Sequence, residues 1–293
     1  IAATRIGYID GEFVINPTYS QLEESLLDLV VAGSTDGVSM MEAGAKEVDE
    51  DLVFEAIQLA QSVNLEIISL QQDFTDESGI PKADFVPKGH DPEAVKQARV
   101  ILGDRIYTAL SDAEDQEDMR NRLKSLEDEL EESLAEEFDS SVSSGAFEEL
   151  LDEQFRVRIL KDGVRPDGRG LREIRPLSAD VSILPRTHGT GLFNRGETQI
   201  LGITTLGSSG DAQKLDNLSP EVSKNFMLHY NFPPYSVGEA RRVGSTSRRE
   251  IGHGALAERA LSAVLPSQED FPYTIRIVCE ALSSNGSTSM GSV

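Results

Sequence analysis

Apolar and polar residues alternate over residues 4–16, with Asp10-Gly11 between two β-prone runs. Asp-Gly in that setting is a strong hairpin signal, so a hairpin is predicted. Leu-Leu-Asp-Leu-Val-Val-Ala at 26–32 reads as a strand, closed by a Gly/Ser/Thr/Asp turn and paired with 38–42. The period then changes. Leu52, Val53, Ala56, Ile57, Leu59, Ala60 and Val63 fall on one face of a helix predicted over 50–72. Asp49, Glu50 and Asp51 stand where negative charge favours a helix N-terminus. Strands covered by a helix make an α+β layer.

Residues 75–90, with Gly79, Pro81, Pro87 and Gly89, read as a linker. Helical spacing resumes with Val95, Ala98, Ile101, Leu102, Ile106 and Leu110, and Pro92 sits where a first helical turn tolerates it. Leu123, Leu126, Leu130 and Leu134 form a stripe between acidic residues, too short for a sustained coiled coil, so a small helical connecting domain is predicted. A third region is expected from residue 156, opening on the turn-dense segment 161–170. Strands follow at 178–184, 191–193 and 198–205, then a surface hairpin loop at 208–225. A strand at 226–230, a helix at 254–263 and a strand at 273–281 complete the pattern. The expected fold class is α+β, in three regions: 1–83, 84–155 and 156–293.

Charge changes this picture by region. The net charge is −24, yet residues 156–293 hold 14 acids against 17 Lys and Arg, so this part alone can face an anionic ligand. The acids are concentrated before it, where they read as solvated faces. One cysteine, Cys279, excludes a disulfide framework and fits a reducing compartment. No apolar run is long enough to span a bilayer. The chain starts without Met, inside a predicted strand, and is expected to be a fragment cut at both ends.

Two stretches carry candidate chemistry. Pro233-Pro234 must end the strand before it. The Gly- and Ser-rich loop that follows holds Arg241-Arg242 and Arg248-Arg249, with His253 at the onset of the predicted helix. Guanidiniums beside a helix start suit a polyanion, because arginine presents planar donors to phosphate oxygens. The second stretch, Ser283-Ser284-Asn285-Gly286-Ser287-Thr288-Ser289, follows a strand and offers N–H and hydroxyl donors to an anion. It has no Lys and is not a P-loop. The bland readings are a solvated loop and an ordinary polar turn. His90, His188 and His229 read as structural, and the four histidines show no metal-ligand spacing.

Taken together these motifs resemble a family. Arg-Pro-Asp-Gly-Arg at 165–169 with Glu-Ile-Arg-Pro at 173–176 resembles the opening of an RNase PH-type domain, and Gly-Leu-Phe-Asn-Arg-Gly-Glu-Thr-Gln at 191–199 its next strand motif. Phe-Pro-Pro-Tyr-Ser-Val-Gly-Glu at 232–239, Arg-Arg-Glu-Ile-Gly-His-Gly at 248–254 and Asn-Gly-Ser-Thr-Ser-Met at 285–290 are similar to the second core domain of the polynucleotide phosphorylase family. Residues 1–83 resemble the end of the first such domain, and 91–155 the helical domain between the two.

The resemblance implies 3′-to-5′ phosphorolysis of single-stranded RNA, with inorganic phosphate as co-substrate and nucleoside diphosphates as products. It implies a homotrimeric ring, partners among other RNA-degradation proteins, and a bacterial-type cytoplasmic setting, with an organelle also compatible. Arg248, Arg249 and His253 would be catalytic, both Arg248 and Arg249 also binding RNA. Ser287, Thr288 and Ser289 would hold the attacking phosphate, Thr288 standing where the family more often has Ser. Arg241 and Arg242 match no fixed pair and are expected to add attraction for RNA. Mg²⁺ or Mn²⁺ is implied, with ligands expected downstream of Val293 and none within these residues, so the fragment alone is expected to be inactive. The alternatives are a non-catalytic RNA-binding subunit of an RNase PH-type ring, and an acidic scaffold.

Overall fold

The computed structural model describes residues 1–85, 89–114 and 116–293. Pro87 of the expected linker lies outside them. The chain divides into two compact units. One joins Ile1–Pro81 with Pro176–Val293, and the other is Lys82–Arg175.

The first unit opens on β1 (Ala2–Ile9) and β2 (Glu12–Ile15), the predicted hairpin. Asp10 and Gly11 both take positive φ (51° and 84°), as a two-residue turn matched to strand twist requires. A short helix, α1 (Tyr19–Glu24), was not foreseen; Thr18 and Gln21 cap it reciprocally. β3 (Leu27–Ser34) and β4 (Gly37–Ala45) complete an antiparallel sheet of order β2-β1-β3-β4. The alternation pays out on one face, where Ile6, Leu27, Leu29 and Val31 are buried under α2 (Glu50–Ser78). Asp49 caps α2 by accepting from the Asp51 N–H at 2.9 Å. The helix runs six residues past its predicted end, into the expected linker. Buried Asn64 is satisfied on both sides: it accepts from Thr4 Oγ1 at 2.8 Å and donates to the Val31 carbonyl at 3.1 Å.

The second unit is built from α3 (Pro92–Leu102), α4 (Arg105–Ser111), α5 (Gln116–Leu134) and α6 (Ser140–Asp162). Asp91 caps α3, with Pro92 in its first turn. The leucine stripe of α5 faces inward: Leu126, Leu130 and Leu134 are buried with Leu102, Ile106, Leu110 and Phe147. The expected start of a new region at 156 falls inside α6. Leu151 and Phe155 pack against the helical core, which carries the helix on until Gly163 ends it in the left-handed conformation, φ 65°. The turns that follow, to Arg175, belong to this unit.

From Pro176 the chain returns to the first unit with a second sheet, of order β10-β11-β7-β6-β5. Its strands are β5 (Leu177–Val181), β6 (Gly189–Arg195), β7 (Thr198–Gly207), β10 (Phe226–Asn231) and β11 (Thr274–Ser283). β5 ends earlier than predicted, at Ser182, whose φ is 59°. The expected hairpin loop contains β8 (Gln213–Lys214) and β9 (Ser223–Lys224), an antiparallel pair. β10 and β11 are parallel, so a crossover must join them. That crossover holds α7 (Arg248–Ser262), which packs on β10 through buried Gly254 and Ala257. The described chain closes with α8 (Thr288–Ser292).

Candidate active site around the head of α7

β10 ends at Asn231. Pro233-Pro234 then turn the chain through a short 3-10 segment, Pro234–Val237, into the arginine loop. Helix α7 begins at Arg248, six residues before its predicted start. Arg248 and Arg249 are therefore in its first turn and not on the loop, and His253 lies more than a turn inside. The cause is a capping box. Ser247 Oγ accepts from the Glu250 N–H at 3.2 Å, and the Glu250 carboxylate accepts from the Ser247 N–H at 2.7 Å. The other Glu250 oxygen accepts from the Phe232 N–H at 2.9 Å, tying the helix start to the end of β10. Burial opposes the charge on Glu250, but these N–H groups hold its carboxyl below the usual range.

Arg249 lies with its guanidinium carbon 4.4 Å from the Phe232 ring centroid. Phe232 stacks on Tyr230 at 6.3 Å, and Tyr230 meets the His253 ring edge-on at 5.3 Å. Burial, and then the positive charge of Arg249, push the His253 pKa down. His253 Nδ1 is buried without a hydrogen-bond partner among the described residues. Arg248 is exposed, and no hydrogen bond or ion pair engages its guanidinium among the described residues. Arg241 and Arg242 line a cleft of about 330 Å³ together with Arg249, Phe232 and Pro233. Arg241 is paired with Glu239 at 2.6 Å. The first arginine pair and one member of the second thus face the same space.

The Ser/Thr bend is brought to the same place. Helices α7 and α8 are neighbours, and the Tyr230 hydroxyl is hydrogen-bonded to that of Thr288. Thr288 is only 2% exposed, so its hydroxyl serves the protein's interior and not an open ligand site. Ser287 is exposed in the left-handed region (φ 54°), and Ser289 is half-buried. The bend is fixed from β6 and β7. Arg195 Nη2 donates to the carbonyls of Ser287 (2.8 Å) and Gly286 (3.2 Å). Thr198 Oγ1 donates to the Gly286 carbonyl at 3.1 Å and accepts from the Asn285 N–H at 3.0 Å. Asn285 Nδ2 donates to Glu197 at 3.1 Å.

Sequence reasoning had not assigned Tyr230, Arg195, Thr198 or Glu250 to the site. Glu250 was findable from Ser247-x-x-Glu250. Arg195 and Thr198 sit in the recognised 191–199 stretch, while Tyr230 carried no signal beyond a strand. Of the histidines read as structural, His188 accepts from the Leu206 N–H at 3.1 Å. Among the described residues no group of three or more His, Cys, Asp or Glu could hold a metal ion. No helix among the described residues is long and apolar enough to cross a membrane.

Two family models match the chain. Residues 1–63 match domain 2 of the 3′ exoribonuclease family, and residues 173–293 match domain 1 of the same family. Curated relatives match from end to end. A polyribonucleotide nucleotidyltransferase of Dehalococcoides mccartyi is 49% identical over 294 residues, covering 100% of this chain and 41% of its own length. One of Roseiflexus sp. is 49% identical over 301 residues (100% and 40%), and one of Chloroflexus aggregans 47% over 301 residues (100% and 40%). The chain thus spans about two fifths of the length of these relatives. Among solved structures, an Archaeoglobus fulgidus exosome with RNA bound to the active site aligns over 46% of this chain and 54% of its own. That match has 16% identity and a TM-score of 0.35, too low to carry an argument. With two domains of one family matched and nearly half of all positions shared with the curated relatives, the chain belongs to the 3′ exoribonuclease family, of RNase PH fold.

Proposed function

We propose that the complete protein carrying this chain is a phosphate-dependent polyribonucleotide nucleotidyltransferase that shortens single-stranded RNA from its 3′ end and releases nucleoside diphosphates. The observation that carries this reading is the convergence on the Tyr230–Phe232 pair of Arg249, His253 and the Ser/Thr bend, in a chain whose curated relatives bear that name.

Phosphorolysis brings two anions together, so positioning and charge neutralisation dominate its barrier. Arg248 and Arg249, at the positive end of a 15-residue helix, hold and neutralise the RNA diester. Ser287 and Ser289 offer hydroxyl groups to inorganic phosphate. An oxygen of that phosphate bonds to the phosphorus of the terminal diester, and the bond from that phosphorus to the preceding 3′ oxygen breaks. The proton of the hydrogen phosphate ends on the freed 3′ oxygen. His253, whose ring lies against Tyr230 beside Arg249, is suited to pass it. Arg241 and Arg242 draw the strand along the cleft. Mg²⁺ or Mn²⁺, implied by the family resemblance, would take its ligands from outside these 293 residues. The reading also places the protein in a cytoplasmic homotrimer, open to other RNA-degradation proteins.

The test replaces Arg248 and Arg249 with Ala in the complete gene product. Charge-assisted hydrogen bonds contribute about 1.5–3 kcal/mol each, so kcat/KM for phosphate-dependent release of nucleoside diphosphates should fall about 100-fold or more. Nucleoside monophosphates as wild-type products would reject phosphorolysis. Salt-sensitive RNA binding with no cleavage would make the protein a non-catalytic ring subunit.

A further inference from the structure

Tyr230 sits where the two halves of the candidate site join, and no sequence motif marked it. Its side chain is 2% exposed. The ring face lies toward Phe232, which carries the Arg249 guanidinium, and the ring meets His253 at 5.3 Å. The hydroxyl reaches Thr288, 58 positions away, in the bend between Ser287 and Ser289. One rigid side chain therefore touches His253, adjoins Arg249 through Phe232, and anchors the bend that carries Ser287 and Ser289. Other contacts of the bend come from β6, β7 and the turn between them, through Arg195, Thr198 and Glu197, and from the segment after β10, where the Ser236 carbonyl accepts from the Ser284 N–H at 2.8 Å. The Tyr230–Thr288 bond is a side-chain link from β10 itself to that bend.

We propose that Tyr230 is a positioning residue, a strut that through Thr288 sets where Ser287 and Ser289 present their hydroxyls relative to Arg249 and His253. This rests on the phosphorolytic reading above and deepens it. The strut fixes the seat of inorganic phosphate, while the RNA diester is held by the arginines. Thr288 then acts as an anchor, with its hydroxyl turned inward, and the phosphate-facing work falls to its two serine neighbours. The Tyr230 ring and hydroxyl have separable duties. The ring supports Phe232 and His253, and the hydroxyl alone supports the bend.

The experiment uses the complete gene product, with phosphate and RNA varied independently. Y230F keeps the ring and removes only the hydroxyl. Its KM for inorganic phosphate should rise about 5- to 10-fold, the size of one lost hydrogen bond, with kcat within about twofold and RNA affinity in the absence of phosphate unchanged. T288V should do the same, T288S should restore the wild-type KM, and the Y230F/T288V double variant should be no worse than either single. A merely structural tyrosine would shift the melting temperature without separating phosphate KM from kcat. Should Y230F fold poorly, the T288V and T288S pair decides alone. An unchanged phosphate KM in T288V, with R248A/R249A inactive, overturns the strut and leaves the phosphorolytic reading standing. Nucleoside monophosphates as the wild-type products overturn that reading, and the strut with it.

Discussion

In the helical unit, Arg99 faces Glu153 with two hydrogen bonds, at 2.7 and 2.9 Å, and Arg105 faces Glu129 in the same forked way, at 2.6 and 2.7 Å. Lys124 bridges to Glu127 and Asp128 one turn on. At the head of α7 the pattern reverses. Arg249 rests on an aromatic ring, and Arg242 and Arg248 find no carboxylate among the described residues, in a chain with 51 acids to 27 Lys and Arg. Where acids are plentiful, an arginine left unpaired keeps its donors for another anion. The helical unit uses arginine to quiet its own excess of carboxylates: Arg99 holds the Glu153 carboxyl below its ordinary range, chiefly by hydrogen bonding. Glu239 takes Arg241, while the site places Glu250 on backbone N–H groups, which leaves Arg242, Arg248 and Arg249 without a carboxylate partner among the described residues.

This contrast can be tested, beginning with the largest effect in each region's architecture. Leu130 is fully buried among the four helices. L130A should cost about 2–5 kcal/mol in chemical denaturation of the helical unit, the range for a cavity left by a core leucine. If the loss is under about 1 kcal/mol, the leucine stripe is not what organises that unit. A smaller change is expected at the α7 head. S247A removes the cap that starts the helix ahead of Arg248, and should lower stability by about 1 kcal/mol. It should also weaken RNA binding at low salt, because the arginines lose their fixed turn. Unchanged RNA affinity would mean that the arginines act without the helix start. The smallest effect belongs to the paired arginines. A double-mutant cycle on Arg99 and Glu153, both substantially exposed, should give a coupling of under about 1 kcal/mol and no change in RNA affinity. A larger effect of R99A than of R248A on RNA binding would invert the distinction drawn here.

Much of the fold could be read from local pattern. The Asp10-Gly11 hairpin, the inward alternation of β1 and β3, the caps at Asp49 and Asp91 and the inward leucine stripe of α5 all follow from short-range rules. Two readings failed for identifiable reasons. The end of the helical region was placed at 155, because the turn-dense segment beyond it looked like an opening. Phe155 instead packs backward onto the helical core and keeps α6 going. The start of α7 was placed at 254, where the helical spacing of apolar residues begins, and Gly252 and Gly254 are poor helix formers. The Ser247–Glu250 box overrides them, and that signal was present in the sequence.

The sequence by itself determined which segments pair and curl, and supplied the arginine doublets, His253 and the Ser-Thr-Ser bend as the chemically able groups. It also placed Tyr230 in a strand, and no more than that. Only the tertiary structure decided that Tyr230 joins those groups, that Thr288 turns its hydroxyl inward, and that Arg241 and Arg242 share a cleft with Arg249. The reason is separation along the chain. The contacts of Tyr230 with His253 and Thr288 span tens of residues and exist because β10 and β11 run parallel, with α7 folded back over β10 as their crossover. Local propensity sets the period of each element but carries no information about which side chains meet across that crossover.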